Sequence, residues 1–91
     1  KKVISLTVDA QKETNILAKN SKGDPSRYEM IININLKTAY GQNQNITKSF
    51  QERFNYNSNI NKFELNQYEK EIEDLLINKN IDRIIVYLSK I

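Results

Sequence analysis

The 91-residue sequence contains no cysteine, no histidine and no tryptophan. Without Cys there is no disulfide, thiolate ligand or thiol nucleophile, and without His there is no imidazole ligand or neutral-pH general base. A metal site would have to be all-oxygen, and catalysis would rest on Asp, Glu, Lys or Tyr. Glycine occurs twice and proline once, so turn positions are few. No apolar run approaches the roughly 18 residues of a membrane-spanning helix. Lys1-Lys2 leads directly into a strand-like pattern, not into the apolar core of a signal peptide. The first residue is not Met, which suggests a processed or truncated piece and leaves the compartment open.

What is present is lopsided. Thirteen Asn and thirteen Ile accompany eleven Lys against three Arg. Asn, Ile and Lys share AT-rich codons, and we take codon bias over surface selection as the cause. The Lys count then says little about nucleic acid, and a net charge of +3 is far from a polybasic tail. A hydrophobic share of 38% gives one small domain with a modest core, often marginal by itself at this size.

Residues 3–18 alternate, with Ile4, Leu6, Val8, Ala10, Thr14, Ile16 and Ala18 on one parity and polar residues on the other. Period two predicts a half-buried strand. Sixteen residues would run to about 50 Å, so a bend or bulge near Gln11–Thr14, or a split into two segments, is expected. Asn20 to Ser26 gathers the single Pro, one Gly and several Asx and Ser residues, the composition of a hairpin tip. Arg27–Tyr40 is the second strand, with Tyr28, Met30, Ile32, Ile34 and Leu36 on one face and Ile31 as the exception. Gly41-Gln42-Asn43 is a second turn. Residues 46–56 form the third strand, with Ile46, Phe50, Phe54 and Tyr56 on one face. Lys48 and Glu52 share that apolar parity, as at a sheet edge or in a paired contact.

The period then changes. Asn61-x-x-Glu64 has the form of a capping box, with Ile60 and Leu65 at staple positions. No Gly or Pro follows before Lys90, which predicts one long helix. It carries two apolar stripes: Leu65, Tyr68, Ile72, Leu75 and Leu76, then Ile77, Ile81, Ile84, Ile85, Leu88 and Ile91. The second stripe is expected to pack on the sheet and the first to reach something else. The predicted fold is α+β, a three-stranded antiparallel meander with one long C-terminal helix. One helix covers only part of a sheet face, so a further element or a partner is expected.

Three constellations invite chemistry. Glu64, Glu69, Glu71, Glu73 and Asp74 include an i,i+4 carboxylate pair, but interleaved Lys and Arg read as a solvated helix face, with early acids suiting the dipole. Lys12, Lys19, Lys22 and Arg27 around the tip suit a phosphate, against ordinary solvation of a loop. Tyr28, Phe50, Phe54 and Tyr56 have the makings of a base-stacking platform, but their parity is that of the core. A small basic nucleic-acid-binding module is the alternative reading.

The element order, with Ile4-Ser5-Leu6-Thr7-Val8, the Gly-containing tip, Tyr28 opening Glu29-Met30-Ile31-Ile32-Asn33-Ile34-Asn35, the strand end Arg53-Phe54-Asn55-Tyr56 and the helix end Ile84-Ile85-Val86-Tyr87-Leu88, resembles the LPS-assembly lipoprotein LptE family of Gram-negative bacteria. The similarity spans nearly the whole chain. It implies a four-stranded family fold of which the last three strands and second helix are here, with a lipidated Cys, first strand and first helix lying ahead of Lys1. It implies a non-enzymatic outer-membrane lipoprotein on the periplasmic face, with no cofactor and no nucleic-acid partner. Such a protein plugs the LptD β-barrel, assists its assembly and contacts lipopolysaccharide. Its membrane attachment would come only from the N-terminal lipid anchor, which this sequence lacks. The family's basic loop positions carry over to Lys19 and Lys22 at the tip and to Lys62 near the helix start, and Arg27 beside the tip joins them as a candidate lipopolysaccharide contact.

Overall fold

The computed structural model describes residues 5–41, 44–58 and 61–90. Three strands, β1 (Ser5–Lys19), β2 (Pro25–Ala39) and β3 (Asn45–Asn57), precede one helix, α1 (Lys62–Ser89). The strands pair antiparallel in the order β1-β2-β3, so β2 is central and β1 and β3 are edges. This is the α+β meander expected from the sequence. Parts of four expectations, Val3-Ile4 of the first strand, Gln42-Asn43 of the second turn, the Ile60 staple position and Ile91 of the second helix stripe, lie outside the described residues.

β2 dictates the architecture. Its even-numbered residues Met30, Ile32, Ile34, Leu36 and Thr38 are all buried, whereas Arg27, Asn33, Asn35 and Lys37 face the opposite way. Cross-strand pairing extends the apolar face into β3, where Phe54 lies opposite Met30, Phe50 opposite Ile34 and Tyr56 opposite Tyr28. The reverse face is polar and laced together. Ser49 Oγ donates to Asn35 Oδ1 at 2.6 Å, and Arg53 pairs with Glu29 at 3.6 Å. One apolar face and one wet face are the usual economy of an antiparallel sheet.

Asn61 caps α1, its Oδ1 accepting from the amides of Phe63 and Glu64 at 3.0 and 3.2 Å. The helix buries Ile72, Leu76 and Asn80 against the sheet, flanked by half-buried Leu65, Ile77 and Ile84. The two-stripe expectation is thus corrected. The first stripe supplies the buried apolar contacts Ile72 and Leu76, and of the second Ile81 and Ile85 are exposed. Asn80 is the reason the seam continues where apolar residues stop. Its Nδ2 donates to the Ile32 carbonyl at 3.0 Å, while its Oδ1 is buried with no partner among the described residues. Lys48 and Glu52, the charged residues on the apolar parity of β3, are paired by the helix. Glu52 meets Arg83 at 2.7 Å, and the Lys48 ammonium lies 5.9 Å from the Tyr87 ring centre.

β1 departs most from expectation. It is one continuous strand, and its pairing with β2 shifts register twice near the tip, between the pairs Ile16–Tyr28 and Ala18–Arg27 and between Ala18–Arg27 and Lys19–Pro25, not near Gln11–Thr14. The expected half-burial also fails. Leu6, Val8 and Ile16 are 50%, 61% and 51% exposed on the face that carries the core in β2. α1 lies over β2 and β3 and reaches β1 side chains through Lys12, whose ammonium meets Glu73 at 3.5 Å. The chain is accordingly elongated, with a Cα radius of gyration of 17.4 Å against about 12 Å for a compact domain of this length.

Three substitutions test this seam. Leu76→Ala should cost about 2–5 kcal/mol in urea unfolding, and the exposed Ile85→Ala less than about 0.5. Asn80→Leu should be neutral or stabilising, because it removes a buried acceptor whose lack of a partner costs about 1–3 kcal/mol. A large loss from Asn80→Leu would show that its amide fixes the helix position.

Candidate functional site

The β1–β2 tip and the start of α1 meet at one end of the molecule. Asn20 organises the tip: its Oδ1 accepts from the amides of Lys22 and Asp24 at 2.9 and 3.0 Å. The backbone closes with Asn20 N–H to Asp24 C=O at 2.8 Å and Gly23 N–H to Asn20 C=O at 2.9 Å. Gly23 has φ of 86°, in the left-handed region where a Cβ is strained. Ser58, just after β3, donates its N–H to the Ser26 carbonyl at 2.9 Å and ties the third strand to the tip. Between tip and helix lies a trough of about 580 Å³, lined by Asn20, Asp24, Pro25, Ser26, Tyr28, Ser58, Lys62 and Leu65.

An aromatic cluster backs this trough. Tyr28 and Tyr56 stack with ring centres 5.4 Å apart, and Tyr68 meets Tyr56 edge-to-face at 6.1 Å. The Tyr56 hydroxyl donates to the Glu69 carboxylate. Burial, the hydrogen bond to Glu69 and the nearby negative charge hold the Tyr56 phenol well above its ordinary pKa. The Glu69–Glu73 pair therefore divides: Glu69 serves Tyr56 and Glu73 serves Lys12. The possible base-stacking platform is turned inward, with Phe50 and Tyr56 buried and Phe54 and Tyr28 packed against the core.

The four basic residues expected at a site share this end of the sheet but not one surface. Lys62 lines the trough, whereas Lys19, Lys22 and Arg27 do not. Lys22 sits on the tip, Lys19 follows the irregularity of β1, and Arg27 belongs to the polar reverse face of β2. All four are exposed. Lys12, grouped with the tip in the sequence, lies mid-strand and is paired with Glu73. Asn20, Asp24, Ser26 and Ser58 were legible only as turn formers. Strand pairing and the Ser58–Ser26 bond bring them together, and neither leaves a local motif.

No protein-family model matches this chain, and no curated protein matches it by sequence. Among solved structures, that of rare lipoprotein B from Shewanella oneidensis is similar over 93% of this chain, with a TM-score of 0.75 at 17% identity. The chain spans 66% of that structure's length. Rare lipoprotein B has an LptE-like fold, so the resemblance drawn from the sequence holds at the level of the fold.

The Tyr56 environment gives a pH dependence with a definite sign. A phenol whose folded pKa lies above its unfolded value of about 10 adds stability that is present below that pH and lost as pH rises beyond it. Denaturation midpoints followed from about pH 8 to 11 should therefore fall more steeply for the wild type than for Tyr56→Phe. Equal slopes would show that the Tyr56 phenol is not held above its ordinary pKa in solution.

Proposed function

We propose that this chain is a non-enzymatic, LptE-like component of the periplasmic face of the outer membrane. In this reading it seats in an LptD-like β-barrel, assists its assembly and contacts lipopolysaccharide on the way to the cell surface. The observation that carries the reading is the fold match over 93% of the chain. The uncovered face of β1 agrees with it. A meander with Leu6, Val8 and Ile16 half or more exposed is suited to further cover, and the first helix of the LptE pattern would supply it. A lipid anchor on a preceding Cys would hold the protein to its membrane.

Lipopolysaccharide carries anionic phosphates. Lys19, Lys22 and Arg27 form no ion pair among the described residues, so their charges remain available to such a ligand. Lysine on an exposed tip acts as a point charge, which suits electrostatic steering more than rigid bidentate recognition. The nucleic-acid reading has no comparable support, because its aromatics belong to the core.

Lys19→Glu combined with Lys22→Glu should weaken lipopolysaccharide binding about tenfold, a change of about 1.4 kcal/mol. Unfolding stability should stay within about 0.5 kcal/mol, as for exposed sites away from packing. Unchanged binding would remove the tip from the lipid contact, and a large stability loss would make these lysines structural.

A further inference from the structure

Away from the tip, the outer side of β3 runs beside the last turns of α1. β3 is an edge of the sheet, so the backbone groups on its outer side have no ladder partner among the described residues. Its pairing with β2 runs from Arg27–Asn57 to Ala39–Asn45 without a register shift, so it lacks the bulge that commonly blunts an edge. Inward-pointing charges are a second common guard, but here α1 already meets them. Glu52 pairs with Arg83 at 2.7 Å, and Lys48 lies 5.9 Å from the Tyr87 ring centre.

Beside this edge lies a groove of about 380 Å³, lined by β3 and α1 with no residue of β2. Its inside is apolar. Phe50 is buried and meets Tyr87 edge-to-face with ring centres 5.8 Å apart, and Val86 beside them is 53% exposed. Its rim is net positive. Lys48, Arg83 and Lys90 line it against Asp82, and Glu52 takes up Arg83. The Lys48 and Lys90 ammonium groups form no ion pair among the described residues. An edge strand, an adjoining helix and an apolar groove between them are the parts of a strand-addition site. Backbone hydrogen bonds then supply affinity, and the groove takes alternate side chains.

We propose that β3 and the end of α1 dock an extended acidic segment of a partner protein as a fourth strand. An aromatic side chain of the segment packs against Phe50, Val86 and Tyr87. Lys48 is two residues from Phe50 on the same face, so the carboxylate it meets lies two residues from that aromatic. The inference goes beyond the lipopolysaccharide and barrel reading and does not depend on it.

The test is an amide chemical-shift titration of the whole chain with a blocked hexapeptide, Thr-Glu-Thr-Phe-Thr-Thr, whose Glu and Phe share one face as a strand. Amides in residues 46–54 and 82–90 should shift, and the β3 amides not bonded to β2 should gain protection from hydrogen exchange. Replacing the peptide's Glu by Gln should weaken binding about fivefold, the effect of one exposed ion pair. N-methylation of both central residues should abolish binding. Val86→Asn should weaken the peptide about tenfold and leave unfolding unchanged, as at an exposed position. Lys48→Gln should remove the preference for Glu over Gln and leave the Gln peptide's affinity as it was. Equal binding of the N-methylated peptide would reduce the groove to a side-chain pocket and overturn strand addition. Shifts along β1 instead, or no shifts in a chain whose spectrum shows the folded meander, would overturn the proposal. Groove shifts that follow chain concentration without peptide would also overturn it and assign the groove to a second copy.

Discussion

The structure depends on the contact between the even-numbered face of β2 and the Ile72–Leu76–Asn80 seam of α1. Met30, Ile32 and Ile34 are nearly inaccessible and form one buried cluster with Ile72 and Leu76. Every other feature is placed by this contact. β3 is held by pairing with β2 and by Arg83, Tyr87 and Glu69 of the helix. The tip stands where it does because β2 begins at Pro25, and the trough exists because the helix starts beside that point. Asn80 places a buried polar atom inside the seam, and its amide holds the helix to the Ile32 carbonyl. The buried Oδ1 beside it, without a partner among the described residues, weakens the seam.

The same contact explains what is left open. A single helix has one buried stripe, and here that stripe is occupied by β2 and β3. β1 therefore receives backbone pairing on one side and one ion pair from Glu73, and Val8 stays 61% exposed. The result is a half-built sandwich: a helix layer over two strands of three. That geometry suits a module completed by further structure over β1. The polar end, with the tip and trough, is free of this demand and can serve a ligand.

The fold was legible because its periodicities are clean. Alternation from Tyr28 to Leu36, the Asn20–Ser26 turn composition and the Asn61 cap each rest on local chemistry, and each is found in the structure. Which helix stripe is buried was not legible. The apolar residues of α1 wrap around much of its circumference, and tertiary packing chose Ile72, Leu76 and the polar Asn80 over Ile81 and Ile85. The exposure of β1 was hidden for a related reason, since alternation marks a face suited to burial without saying whether anything covers it. The candidate site was legible only as a cluster of charges. Lys62 came from the family resemblance, and Asn20, Asp24, Ser26 and Ser58 needed the strand pairing to meet.

We propose that this fold works as a barrel-bound component. The most direct measurement is co-expression of the chain with an LptD-like outer-membrane β-barrel, followed by purification through a tag on the barrel and native mass spectrometry. The account predicts a complex with one copy of the chain per barrel that survives purification. A barrel recovered without the chain, alongside a folded chain in the unbound fraction, would contradict it.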